Sequence, residues 1–358
     1  MSSIFVTGLY IRAHLCYNGK KSERGMAMKV RLCDIAEKTG FSINTVSHAL
    51  RDLPDISEAT KAIIRRAAEE LDYIPDLQAG SFKSGKRGVI SVILPDIVNP
   101  HFTLLFHEAE TYFQKLGITT FFMNTGENAQ DELKAVRASI GQNVDGIILC
   151  PTVGDDAALG LLSRSHTPYV LVGRHAGEQH RAVITDDEAG GYLATKHLLS
   201  LGHRRIACVR TNGAISSDRE RYNGYCRALA EAGIVPDESD TLRLSLRGQQ
   251  NGAAITEFLE KNRACHAIFA FSDLLATEII AIAAALGIRV PEELSVVGFD
   301  RIGDAYPQPL PLTTVGTVGD TLGLAAAECL HRRIEGKQDS EPLITLPVAL
   351  HLGKTAAP

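Results

Sequence analysis

A small all-α module followed by an α/β body of two doubly wound parallel-sheet lobes is the fold class this sequence predicts. Three observations carry that reading. Residues 32–51, LCDIAEKTGFSINTVSHALR, hold two short helical patterns on either side of Gly40-Phe41-Ser42. From Val89 onward, short apolar runs alternate with helical patterns almost to the end of the chain. The charge also splits: residues 1–88 carry 14 Lys+Arg against 10 Asp+Glu, and the other 270 carry 23 against 32. A mildly basic front on an acidic body suits a small nucleic-acid module joined to a domain that does not bind nucleic acid. With 358 residues there is enough chain for about two or three domains. At 45% hydrophobic and 22% charged residues, the composition is that of a soluble globular protein.

Residues 1–28 read as a disordered extension, with Met26 or Met28 as the working start. They fail as a signal peptide, because no basic region precedes Ile4 and Thr7, Gly8 and Arg12 interrupt the apolar run. Residues 29–75 form the helical module. In its first helix Ile35, Ala36 and Thr39 share a face, and in the second Val46, Ala49 and Leu50 do. Ser42 is placed to N-cap the second helix. Ala36 allows close crossing, Gly40 permits a left-handed turn and Val46 fills the junction, which makes a helix-turn-helix whose second helix fits the DNA major groove. An ordinary helical hairpin matches the same spacing. Pro54-Asp55-Ile56-Ser57 turns the chain into a third helix, with Ala59, Ile63, Ile64, Ala67, Ala68 and Leu71 on its apolar side, and Pro75 ends it. Residues 76–88 are a polar, basic connector. Gly80, Gly85 and Lys86 there have nearly P-loop spacing. Arg87 stands where Ser or Thr should bind magnesium, and no strand precedes Gly80, so a nucleotide site is disfavoured.

The body spans 89–358. Its apolar runs are VISVIL (89–94), ITTFFM (118–123), VDGIILC (144–150), PYVLVG (168–173), RIACVR (205–210), HAIFAF (266–271) and LSVVGF (294–299). Apolar runs separated by helix-length segments indicate strands buried on both faces of parallel sheets, and so many units predict two lobes. No run approaches the length that spans a membrane. The seven cysteines are scattered without a CxxC pair and read as reduced thiols in a cytosolic protein.

Ligands of open parallel sheets bind beyond the carboxyl ends of the strands. The residues following the runs are therefore candidates: Asp96, Asn99, His101 and Phe102; Arg174 and His175; Ser272 and Asp273; and Asp300. Asp273 is equally suited to capping the next helix, and His101 to lying on the surface. No catalytic set emerges: G-x-S-x-G, H-E-x-x-H and GxGxxG after the first strand are all absent, and His197 and His203 do not share a helix face. The sequence points to no cofactor and no metal.

From Met28 to about Ala356 the chain resembles the LacI/GalR family of transcriptional regulators. The resemblance rests on LCDIAEKTGFSINTVSHAL, DISEATK, ELDYIPD and the connector with Ala79 and Phe82. It continues in the body through GHRRIACV, RERYNGYCRALAEAGI, FAFSDLLA, RVPEELSVVGFD and PLTTV. It implies a homodimeric, cytoplasmic repressor that binds double-stranded operator DNA. Its body would be of periplasmic-binding-protein type, with a small-molecule effector between lobe 1 (about 89–185 and 317–346) and lobe 2 (about 186–316 and 347–358). Ile43, Asn44 and His48 match base-reading positions, where His48 replaces the usual arginine. Ser42, Thr45, Ser47 and Arg51 match phosphate-contacting positions. The connector matches the hinge that enters the minor groove, with Ala79, Lys83 and a wedge at Phe82 in place of leucine. Arg31 replaces a common N-cap, a loss of about 1 kcal/mol.

For the effector, the resemblance implies His101, Phe102, Arg221, Ser272 and Asp300; the strand-end rule adds Arg174, and Arg247 enters as a departure from the family pattern. Gly173 replaces a common Asp and Arg247 falls near an aromatic position, which together shift the expected pocket toward anions. A sugar acid or phosphorylated sugar is thus an alternative to the neutral sugar, which is the leading expectation. Two rival functions remain at this stage, a small-molecule-binding protein without a DNA role and an α/β enzyme. The first lacks a reason for the headpiece, and the second lacks a catalytic constellation.

Overall fold

Among the described residues, three helices, α1 (Leu32–Thr39), α2 (Ile43–Leu50) and α3 (Glu58–Glu70), make the N-terminal unit of the computed structural model. Residues 30–74, 87–153, 156–245, 251–337 and 341–358 are described. The chain divides into Met1–Gly80 and Ser81–Pro358. Ile35, Val46, Ala49, Ile64, Ala67 and Ala68 form the core of the first unit. Gly40 takes the left-handed conformation (φ 76°) that ends α1, and its N–H donates to the Ala36 carbonyl. Ser42 caps α2 by accepting from the Thr45 N–H at 3.1 Å. The expected capping deficit at Arg31 is partly offset, because the Asp34 carboxylate accepts from the Arg31 backbone N–H at 2.7 Å. On α3 the apolar side is narrower than the sequence implied. Ile63 is 53% exposed and Ala59 is exposed, while the stem of Lys61 is buried and its ammonium bonds Glu58 and Asp52. A three-helix core is too small to cover every apolar position on its third helix.

The second unit holds two six-stranded sheets. The first has the order β11-β5-β4-β3-β1-β2, all parallel. Its strands are β1 (Val89–Leu94), β2 (Thr119–Asn124), β3 (Gly146–Leu149), β4 (Tyr169–Val172), β5 (Ala182–Thr185) and β11 (Leu343–Leu346). The second has the order β12-β10-β9-β8-β6-β7, from β6 (Ala207–Arg210), β7 (Thr241–Arg243), β8 (Ala267–Ala270), β9 (Ser295–Phe299), β10 (Thr313–Thr317) and β12 (Val348–His351). It is parallel except for β12, which runs antiparallel to β10. Strands β1, β3, β4, β6, β8 and β9 are almost wholly buried, as their apolar runs require. Strand β2 is different: it lies at a sheet edge, alternates in burial, and leaves Phe121 44% exposed.

Helices cover both faces of each sheet. In the first lobe, α4 (Pro100–Lys115) and α11 (Leu322–Ile334) pack on one side, and α5 (Ala129–Gly141) and α6 (Ala157–Arg164) on the other. In the second lobe, α9 (Asn251–Lys261) and α10 (Asp273–Ala285) face α7 (Asp187–Ser200) and α8 (Ser216–Glu231) across the sheet. The chain crosses between lobes after β5, after β10 and after β11. The crossings bond to one another, Asp186 N–H to the Leu346 carbonyl and Val318 N–H to the Pro347 carbonyl, both at 3.0 Å. The six cysteines among the described residues are free thiols.

Candidate functional site

Because Val46 and Ala49 of α2 point into the core, helical periodicity turns Ile43, Asn44, Ser47 and Arg51 outward. Ile43 is 46% exposed, unusual for an isoleucine in so small a unit. Two of the polar residues already have local duties. Ser42 caps the helix and its hydroxyl lies 2.8 Å from that of Thr45, and Arg51 Nε donates to the Ser47 carbonyl at 3.1 Å. His48 has a partner that the sequence reading missed: its Nδ1 lies 2.6 Å from Asp55 Oδ2, in the turn before α3. Ala79, Phe82 and Lys83 of the connector lie outside the described residues, as does Arg247.

In the second unit a cavity of about 470 Å³ opens between the lobes, at the carboxyl ends of both sheets. Asp96, Asn99, His101, Phe102 and Arg174 line it from the first lobe, and Arg221, Ser272 and Asp300 from the second. His101 Nδ1 approaches Asp300 Oδ1 to 3.8 Å, so the two walls meet there. Asp300 holds φ 108°, a strained conformation for a non-glycine residue, at the lip of the cleft. Two of the first-lobe candidates also hold backbone: the Asn99 side chain accepts from the His101 N–H, and that of Asp96 from the Val98 N–H.

Charge is closely balanced in the described lining. Among the described residues, each arginine of the cleft is matched by carboxylate. Arg174 makes a two-pronged bond to Glu127 at 2.6 and 2.9 Å. Arg210 pairs with the buried Asp218. Arg221 donates to Asp187 at 2.7 Å and to the Phe271 carbonyl at 2.6 Å, and lies 3.3 Å from Asp300, with its guanidinium 3.5 Å from the Phe299 ring centre. The described lining thus holds three arginines against Asp96, Glu127, Glu278 and Asp300, while Arg247, on which the expected cationic shift partly rested, lies outside the described residues. Glu127, Arg210, Asn251 and Glu278 were not foreseen. Arg210 was within reach, since it ends the apolar run RIACVR and the strand-end rule applies to it. Glu127 and Glu278 sit a turn or more past the strand ends.

Two expected candidates do other work. His175 does not line the cavity: its Nε2 lies 2.6 Å from Glu220 Oε1, and its N–H donates to the Ser216 hydroxyl at 3.1 Å, tying the lobes together. Asp273 neither caps α10 nor faces ligand. Ser272 is the cap, accepting from the Leu275 N–H, and Asp273 is buried with its carboxyl bonded to the Ile302 N–H and the Thr314 hydroxyl. Burial and the nearby Asp300 push Asp273 up to about 8. Burial likewise raises Asp187 to about 6, so it stays ionised at neutral pH beside the guanidinium. For Arg221 burial opposes the charge, but Asp187 and Asp300 outweigh it and raise its pKa.

A helix presenting a side-chain row on one unit and a polar interlobe cleft on the other define a DNA-binding regulator joined to a small-molecule sensor. Comparison with known proteins gives the same class. Residues 31–76 match the model of bacterial regulatory proteins of the lacI family, and residues 195–356 match a periplasmic binding protein-like domain. The HTH-type transcriptional regulator DegA of Bacillus subtilis (strain 168) is 30% identical over 335 residues, covering 92% of this chain and 99% of DegA. The HTH-type transcriptional repressor PurR of Aliivibrio fischeri (strain ATCC 700601 / ES114) is 32% identical, over 85% of this chain and 91% of its own. The lac repressor dimer bound to operator and the anti-inducer ONPF shares the fold, with a TM-score of 0.78 at 24% identity over 92% of this chain and all of that one. The chain belongs to the lacI family: it is a DNA-binding transcriptional regulator and not an enzyme. Among the described residues no helix is long and apolar enough to cross a membrane, and no cluster of side chains forms a metal site.

Proposed function

We propose that this regulator is a homodimeric repressor whose effector is an uncharged, hydroxyl-rich molecule of sugar size. The observation that carries the effector reading is the compensation of Arg174, Arg210 and Arg221 by carboxylates. A guanidinium already bonded to carboxylate offers little field to an anion, yet its remaining N–H groups and the facing carboxylate oxygens suit hydroxyls that both donate and accept. A phosphate or carboxylate placed there would sit among four lining acids. The cavity of about 470 Å³ suits a mono- or disaccharide. Phe102, 8% exposed, supplies an apolar surface for the carbon face of a ring.

On the DNA side, Ile43, Asn44 and His48 read bases, by methyl contact with thymine, a bidentate bond to adenine and an imidazole bond respectively. Ser42, Thr45, Ser47 and Arg51 contact phosphates and fix register. Ala79, Phe82 and Lys83 enter the minor groove, with Phe82 as the wedge. Effector binding shifts the population of lobe arrangements, and only its differential affinity for the two states moves operator binding.

The experiment is selection of bound DNA from a random library by the full chain, with and without candidate effectors, followed by calorimetry. Uncharged sugars are expected to bind and to alter operator affinity, while the matched sugar acids and sugar phosphates bind at least tenfold more weakly. Preference for the charged forms, or for a purine base over every sugar, overturns the effector reading. Phe82→Ala is expected to weaken operator binding while leaving effector affinity unchanged, and equal operator affinity removes the wedge.

A further inference from the structure

We propose that Asp55 is a positioning residue for operator recognition. By holding the Nδ1–H of His48 it leaves Nε2 to meet the base, so one side chain reads an amino group when neutral and guanine when charged. The inference rests on His48 being a base-reading residue.

The geometry is specific. His48 lies in the last turn of α2, and Asp55 lies seven residues on, in the turn that leads to α3. Nδ1 and Oδ2 are 2.6 Å apart, the distance of a charge-assisted hydrogen bond. The His48 side chain keeps 22% of its surface exposed, and among the described residues Nε2 makes no hydrogen bond. The charged groups of the elements around this pair are Arg51 at the C-cap of α2, Asp52 in the turn, and Glu58, Lys61 and Arg65 on α3. Lys61 is engaged by Asp52 and Glu58, and Arg65 by Asp52, so they do not displace the imidazole from Asp55. The hydrogen bond from His48 holds the Asp55 carboxyl below its ordinary value, with Lys61 adding to it.

An ionised carboxylate can only accept. Nδ1 must therefore carry a proton whether the ring is neutral or charged, and the two forms differ only at Nε2. A neutral ring presents a lone pair there, which accepts from the cytosine N4 or adenine N6 amino group. A charged ring presents N–H, which donates to guanine O6 or N7. Arginine, the usual residue at this position, can only donate. The substitution thus turns a fixed donor into one whose preference follows pH.

The test is binding of the full-length protein to operators varied one base pair at a time, at pH 5.5 and 8.5 and constant ionic strength. His48→Ala identifies the base pair concerned. At that pair the wild type is expected to favour guanine at pH 5.5 and to shift toward cytosine or adenine by about tenfold at pH 8.5. His48→Arg keeps guanine at both pH values. Asp55→Ala frees the ring, and the pH shift collapses to less than about twofold, while preferences at all other pairs are unchanged. Asp55→Asn, whose side-chain oxygen still accepts from Nδ1–H, retains most of the shift and guards against a folding defect. A wild-type preference that ignores pH, or Asp55→Ala with the full shift, overturns the proposal. If His48→Ala changes no base pair, it is the assignment of His48 as a reader that fails.

Discussion

Asp273 shows how a side chain can stand next to a binding cleft and serve only the fold. It lies at the start of α10, buried, with Thr314 Oγ1 at 2.5 Å and the Ile302 N–H at 2.9 Å. Its carboxyl thereby pins the turn that follows β9, and that turn carries Asp300. Asp273 is pushed from an ordinary 3.8 up to about 8 by burial, with Asp300 adding to the effect. A carboxyl that keeps its proton when folded and releases it when unfolded contributes stability in full below 3.8, and loses that contribution as pH rises through about 8. The thermal midpoint of the body is therefore expected to fall between pH 7 and pH 9. Asp273→Asn, which cannot ionise, should flatten that fall; scanning calorimetry at the two pH values decides it. The sequence offered Asp273, beside Ser272 at a strand end, either as a ligand contact or as a helix cap. Which of the two caps the helix and which is clamped from behind depends on Thr314, forty-one residues away.

At the scale of elements, the crossing of α7 and α8 sets where Arg221 stands. A side chain on Gly191 would overlap the Arg221 carbonyl oxygen, and one on Gly224 would overlap that of Glu188. The two backbones therefore touch, and this contact holds Arg221 against Asp187 at the root of the cleft. Gly224→Ala is expected to force the helices apart, costing about 1–3 kcal/mol in denaturant unfolding and weakening effector binding. Unchanged stability would mean that the crossing has slack. Strands β1, β3, β4, β6, β8 and β9 were legible because they are buried on both faces and their runs are mostly apolar. Strand β2 was misread for the same reason in reverse: ITTFFM looks like a core run, but the strand forms a sheet edge and sends Phe121 to the surface. Strands β5, β7, β10, β11 and β12 were not picked out, since three to five residues with polar members such as Thr185 or Thr314 carry no periodic signal. The cleft was legible where a residue directly follows a strand, as with Arg174, Ser272 and Asp300. It was not where the partner comes from a distant loop, as Glu127 does for Arg174.

At the scale of the molecule, the phosphate contacts proposed for Arg51 and the hydroxyls of α2 belong to a chain whose net charge is −5. An acidic body gives no general attraction for DNA, so the operator affinity must come from the helical unit and connector. A plot of log affinity against log salt is expected to fall steeply, with a slope set by the phosphates neutralised. A flat profile would contradict docking of this kind.

The three crossings between lobes have a further consequence, for the order in which the protein is made. The first lobe does not own its core. Leu322, Ala326, Ala327, Cys329 and Leu330 of α11 fill one side of its sheet, and β11 completes the edge beside β5. A ribosome that has released the DNA-binding helices and the first five strands must still translate about a hundred and sixty residues before that lobe can close. A chain cut short before residue 322 would expose Phe102, Leu105 and Phe113 to solvent, and expression of such a truncation is expected to yield rapidly degraded protein. Incomplete chains are therefore expected not to persist as DNA binders that cannot respond to the effector.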